Sequence, residues 1–167
     1  MPAHEMQGSS HMRCGASSRR KGTIMLNEKL NVLLADWAVA HRKLQNLHWY
    51  VKGHAFFQAH VKLEEFYDEA NEAVDSVAEL ILMNGGKPLA SMKEYLDASN
   101  VVERESDFIS VNDAMTQAKA DYELILADVK AVKDAADEEG NALVSAAMDD
   151  HIAQLSKHLW MLGQSER

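Results

Sequence analysis

Four side chains able to hold a divalent metal fall on one stripe of a single helical segment of this 167-residue chain. On a helical wheel of about 100° per residue, with His60 at zero, Glu64 falls near ~40°, Asp75 near ~60° and Glu79 near ~100°. The apolar stripe of the same segment, built from Leu63, Phe66, Tyr67, Ala70, Val74, Val77 and Ile81, centres near ~290°. The metal-capable stripe therefore points away from the segment's own core. Phe57, Val61, Ala78 and Leu82 share it, all within about 100° of His60. A face mixing apolar residues with a histidine and acids is too apolar for plain solvent and reads as a subunit interface. On the preceding segment, His48 sits roughly 50° off the apolar stripe. The turn that follows brings the next helix back alongside, so His48 and His60 can approach each other across the two helices.

Taken singly, a histidine at a stripe edge is ordinarily a packed residue, and an acid pair at i, i+4 a solvated face. Together the five residues supply two imidazoles and three carboxylates, a donor set suited to Fe(II) and other divalent first-row metals rather than to zinc–thiolate chemistry. A di-iron centre inside a four-helix bundle ordinarily uses Glu-x-x-His motifs. None is present: the residues three before the histidines of the helices and the turn are Ala38, Gln45, Val51, Phe57, Met148 and Leu155. Any metal is therefore expected on the interface stripe. Other chemistries fare worse. The chain has no Gly-x-Gly-x-x-Gly, no P-loop and no Gly-x-Ser-x-Gly elbow. Its single cysteine, Cys14, lies in a polar tail. Trp49 and Trp160 read as packing residues rather than a cofactor box.

The elements that must position these residues are long helices. Only two prolines occur, Pro2 and Pro88, among 47% hydrophobic and 26% charged residues, which favours helix. From Leu26, the residues Leu30, Leu33, Trp37, Ala40, Leu44, Leu47 and Val51 recur at spacings of three and four, as one helical face requires. That helix is expected to stop at the Gly53 turn. The second is expected from Phe56 to Asn84, ended by Gly85-Gly86. A short helix from Ser91 to Leu96 carries a capping-box pattern in Ser91 and Glu94, and residues 97–109 read as loop. The third long helix carries Val111, Met115, Ala118, Tyr122, Ile125, Val129 and Val132, and the acidic stretch Asp134 to Gly140 is expected to break it. The fourth carries Val144, Met148, Ile152, Leu155, Leu159 and Leu162. No strand alternation is evident. The expected fold is an all-α four-helix bundle with one long crossover, between the second and third long helices, holding the short extra helix.

Charge is unevenly spread. Residues 1–24 carry Arg13, Arg19, Arg20 and Lys21 against Glu5, a net +3, so the body at 25–167 is −12 within the chain's −9. An acidic body repels nucleic acid and attracts cations. Residues 1–24 have Gly and Ser clusters and no apolar period, and are expected to be a disordered basic tail, with Met25 an alternative natural start. No transmembrane segment or secretory leader is read. One cysteine excludes an internal disulfide framework, so a reducing cytoplasm is the expected compartment.

The runs NLHWYVKGHAFFQAH, EEFYDEANEAVDSVAELI, GGKPLASMKEYL and KHLWMLG resemble the Dps family (DNA protection during starvation), ferritin-like mini-ferritins, over about residues 26–163. Spacings of 12 residues from His48 to His60, 15 from His60 to Asp75 and four from Asp75 to Glu79 match the family pattern. The resemblance implies that His48 and His60 are ferroxidase ligands, completed by Asp75 and Glu79 of a facing subunit. Glu64 stands where the family often has the shorter Asp. It further implies a hollow shell of twelve subunits with two irons per inter-subunit site. Fe(II) would be oxidised there, preferentially by hydrogen peroxide, and stored as ferric mineral. A three-fold channel at the turn between the last two long helices would be lined by Asp134, Asp137, Glu138 and Glu139. Some family members bind DNA through basic tails, which here would use Arg13, Arg19, Arg20 and Lys21 and associate the shell with the nucleoid. The alternatives are a DNA-compacting shell with secondary iron chemistry, and a shell with a degenerate metal site. Intact His48, His60, Asp75 and Glu79 argue against the latter.

Overall fold

The computed structural model describes residues 14–165, and their side chains for residues 25–164. Among the described residues, five helices and one short strand pair follow in order: α1 (Cys14–Tyr50), β1 (Val51–Lys52), α2 (Phe56–Met83), α3 (Met92–Ala98), β2 (Ile109–Ser110), α4 (Val111–Glu139) and α5 (Ala142–Ser165). The four long helices form the expected all-α bundle, with α1 against α2, α4 against α5, and α1 against α4. Their facing stripes are the core. Leu26, Leu30, Leu33, Leu44 and Leu47 of α1, Leu63 and Ile81 of α2, Ile125 and Val129 of α4, and Val144 and Met148 of α5 are fully buried. Among the described residues, no helix is long and apolar enough to cross a membrane.

Three local expectations need correction. Helix α1 begins at Cys14, so residues 14–24, expected to be disordered, are helical. Adding a residue to a nucleated helix costs little, and Ala16, Arg19, Arg20 and Lys21 are good helix formers that outweigh the serines and Gly22. Residues 1–13, with Arg13, lie outside the described residues. Second, the stretch Asp134 to Gly140 does not break its helix. α4 runs on through Glu139 and ends where Gly140 takes φ 70°, because Asp and Glu are only mildly unfavourable inside a helix while glycine enters the left-handed region freely. Third, Val51–Lys52 and Ile109–Ser110 pair in parallel. Two residues are too short to leave an alternating signal.

The turn from α1 to α2 is sharp. Gly53 takes φ 110° and Ala55 takes φ 62°, the latter a left-handed conformation that costs a non-glycine residue roughly 1 kcal/mol or more. It folds the first turn of α2 back onto the last turn of α1. The crossover is tied down by polar groups. Ser91 and Glu94 form the capping box of α3. Arg104 donates to Asn46 at 2.6 Å and to the carbonyls of Glu105 and Asp107. Asp36, fully buried on α1, accepts from Ser99 Oγ at 2.9 Å, Asn100 N at 2.6 Å and Val101 N at 3.1 Å.

Asp128 of α4 hydrogen-bonds to Asp36 and is pushed up to about 6, first by burial and then by Asp36, against the pull of Asn100 and Lys29. Folding thus favours protonated Asp128. Its stabilisation is complete below about pH 3.8 and is lost as pH rises through about 6. Asp128→Asn fixes the side chain neutral. At about pH 8 it should raise the melting temperature by ~2–4 °C, on the order of 1 kcal/mol once solvent screening is counted. At about pH 4 the two melting curves should coincide.

Candidate metal centre

The α1–α2 turn brings His48 and His60 into face-to-face contact, ring centroids 3.7 Å apart and planes 20° apart. Each ring is fixed by the other's backbone. His48 Nδ1 donates to the His60 carbonyl at 2.8 Å, and His60 Nδ1 donates to the His48 carbonyl at 2.9 Å. A carbonyl oxygen only accepts, so each Nδ1 carries the hydrogen, and in the neutral ring Nε2 holds the lone pair. The pair is therefore a preset two-nitrogen donor. His48 is buried and His60 half-buried. Phe56 stacks on His60 at 5.0 Å and Tyr67 sets its edge against His48 at 5.3 Å, which locks the rings' orientation.

Glu64 lies exposed one turn beyond His60, and Asp75 and Glu79 are exposed one turn apart further along α2. Burial, followed by the charges of Glu64 and Asp68, pushes the Tyr67 phenol up. Tyr67 read as a core residue in the sequence. Its contact with His48 depends on the angle of the α1–α2 turn, which periodicity does not encode.

The structure brings His48, His60 and Glu64 to one end of the stripe and leaves Asp75 and Glu79 at the other. Fifteen residues separate His60 from Asp75, about 22 Å along a helix. Among the described residues, no group of three or more His, Cys, Asp or Glu side chains is placed to hold a metal ion within one chain. The expected ligands thus form two half-sites, His48 of α1 with His60 and Glu64 of α2 at one end, and Asp75 with Glu79 further along α2. Between and around them Phe57 is 81% exposed, Val61 54% and Leu82 60%. This is the apolar, acid-rimmed face expected from the wheel.

The other candidates lie elsewhere. Asp134, Asp137, Glu138 and Glu139 are exposed on the last turns of α4 rather than in a loop. Asp137 accepts from Ser145 at 2.5 Å and sits 3.7 Å from Lys133, so part of its charge is already countered. Arg19, Arg20 and Lys21 occupy helical backbone in the first turns of α1.

The family model for the ferritin-like domain matches residues 27–165. The chain is 41% identical over 136 residues to DNA protection during starvation protein 2 of Bacillus anthracis, covering 81% of this chain and 92% of that protein. The crystal structure of antigen TpF1 from Treponema pallidum superposes with a TM-score of 0.85 at 34% identity, covering 87% of this chain and 93% of that one. A Dps protein from Vibrio cholerae, described as a member of a broad superfamily of ferritin-like diiron-carboxylate proteins, gives a TM-score of 0.84 at 30% identity, covering 88% and 92%.

Proposed function

This chain belongs to the Dps family of ferritin-like proteins, and from that premise we propose that it is a ferroxidase and iron store that protects DNA against oxidative damage. Fe(II) is its substrate. Two irons are held at each site between subunits of a hollow twelve-chain shell, in the cytoplasm, and hydrogen peroxide is the preferred oxidant. The observation that carries this reading is the reciprocal His48–His60 pair, a two-nitrogen donor with Glu64 one turn along α2, while Asp75 and Glu79 lie out of reach on the same chain.

A simple symmetry supports the shared site. Consider two copies of α2 packed antiparallel about a two-fold axis passing between Glu69 and Ala70. His60 then faces the second copy's Glu79, and Glu64 faces its Asp75. In the same register Phe57 faces Leu82 and Val61 faces Ala78, so apolar residues meet apolar residues. A two-fold interface is self-complementary in this way, and each contact occurs twice. The two carboxylates brought together, Glu64 and Asp75, would repel each other unless a cation lay between them. Glu64's extra methylene, relative to the family's common Asp, lengthens its reach toward that cation.

The donor set of two imidazoles and three carboxylates fits Fe(II) and lacks the thiolates that would trap zinc. Two Fe(II) give one electron each to one peroxide, yielding two Fe(III) and two hydroxide ions without releasing a radical. The protein's share is positional. His48 and His60 would supply the nitrogen donors, the carboxylates would neutralise the accumulating charge, and the exposed acids at the end of α4 would draw cations toward a pore. The deciding assay is Fe(II) oxidation by peroxide against oxygen, with particle mass measured alongside. Two Fe(II) consumed per peroxide, in a particle of twelve chains of 18.6 kDa each, is the expected result. Oxidation no faster than in buffer would overturn it.

Direct DNA binding is a second reading, favoured by the helical extension of α1 that carries Arg19, Arg20 and Lys21. A helical arm loses less entropy on docking than a disordered one. With Arg13, each arm could neutralise about four phosphates, and several arms per shell would act together. Full-length shells should shift DNA without sequence preference, with a log–log salt slope of about −0.9 per phosphate contacted. Shells beginning at Met25 should not. An equal shift by both would show that the arm is not the binding element.

A further inference from the structure

We propose that Asn84 is a latent deamidation site, held closed by hydrogen bonds to the side chains of Asn27 and Asn141. Asn84 is followed by Gly85, and a residue without Cβ leaves its backbone nitrogen open to attack on the neighbouring side chain. The chemistry needs only water. Gly85 N attacks Asn84 Cγ, the new N–Cγ bond closes a five-membered imide, and the Cγ–Nδ2 bond breaks, releasing ammonia that carries away the Gly85 N–H proton. Water then opens the ring. Cleavage at the N–Cγ bond leaves aspartate. Cleavage at the backbone carbonyl leaves isoaspartate, with an extra methylene in the main chain.

The fold opposes each requirement of the first step. The side-chain amide is pinned at both atoms: Asn84 Nδ2 donates to Asn27 Oδ1 at 2.9 Å, and Asn84 Oδ1 accepts from Asn141 Nδ2 at 2.7 Å. Asn141 cannot turn its amide around, because its own Oδ1 accepts from Val144 N at 3.2 Å in the first turn of α5. Asn27 is wedged by Gly86, where an added Cβ would lie 2.7 Å from the Asn27 amide. The attacking nitrogen is also occupied, since Gly85 N donates to the Leu82 carbonyl at 3.0 Å and Gly86 N to the Ile81 carbonyl at 2.8 Å. Asn84 itself, at φ −83° and ψ 9°, keeps the helical turn and not the extended backbone that would swing Gly85 N toward Cγ. Deamidation therefore requires local opening of the joint where α1, the end of α2 and the start of α5 meet. It would replace a donor in that three-asparagine chain by a carboxylate.

The test is mass spectrometry of the Asn84 peptide from intact assembled protein aged at mildly alkaline pH. Urea-unfolded wild type, Asn27→Ala and Asn31→Ala are run beside it. Asn31 ties the same joint, through the carbonyls of Asn27 and Lys87, without touching the Asn84 amide. Folded wild type should deamidate far more slowly than the unfolded chain. Asn27→Ala should speed the reaction about five-fold, the change in open population that losing one typical hydrogen bond brings. Asn31→Ala should leave the rate nearer that of wild type. Equal rates in folded and unfolded wild type would overturn the proposal. So would acceleration by Asn31→Ala as large as that by Asn27→Ala, which would indicate general loosening. Circular dichroism of each variant confirms that the comparison is among folded proteins.

Discussion

Asp75→Ala should lower the initial rate of peroxide-dependent Fe(II) oxidation by at least ~100-fold, more than the loss of an outer-shell partner of a metal site usually costs. Asp75 is exposed, so the substitution should shift the melting temperature little. His48→Ala should slow the reaction as strongly, but less cleanly. His48 is 7% exposed and donates to the His60 carbonyl, and removing it loses that hydrogen bond, about 1 kcal/mol, along with the stacked ring. Activity lost by Asp75→Ala at unchanged particle mass and melting temperature is the result expected of a metal ligand. Wild-type activity in Asp75→Ala would remove Asp75 from the site.

The second large effect is on assembly. Phe57→Glu combined with Leu82→Glu places two carboxylates opposite each other in the antiparallel α2 register and repeats them across the two-fold. Each Phe57 ring lost from the contact costs roughly 1.5–3 kcal/mol of burial, and the facing charges add repulsion. Both residues are exposed in the single chain, at 81% and 60%, so the chain's own fold should be nearly unaffected. Particle mass by light scattering should fall to that of small species, and Fe(II) oxidation should fall with it. A full-sized particle with normal activity would show that this face is free surface.

Much of this was legible in the sequence because helices write their faces at regular spacing. The stripe from Leu26 to Leu47 and the glycine stop at 85–86 fixed the elements. The off-core position of His60, Glu64, Asp75 and Glu79 marked the face of α2 that carries them with exposed Phe57, Val61 and Leu82. What escaped were features with no periodic signature. The reciprocal bonds between His48 and His60 use main-chain carbonyls, which carry no residue type. Tyr67 sits within the core spacing and turns toward His48 only because of the tight turn at Gly53 and Ala55. The acids at 134–139 suggested a loop because charge resembles solvent exposure, yet an exposed helical turn carries charge equally well. The helical start at Cys14 was hidden by serines and glycine that neighbouring Ala and Arg residues outweigh.

The sharing of one centre between two chains is tested most directly by mixing. Asp75→Ala subunits keep an intact histidine pair, and His48→Ala subunits keep intact carboxylates. Shells reassembled from equal amounts of the two should place unlike chains at about half of the two-fold contacts, each with one of its two sites intact. Peroxide-dependent Fe(II) oxidation should then recover to about a quarter of the wild-type rate, from near zero in either parent shell. Mixed shells of wild-type size that stay as inactive as their parents would contradict a centre built from two subunits.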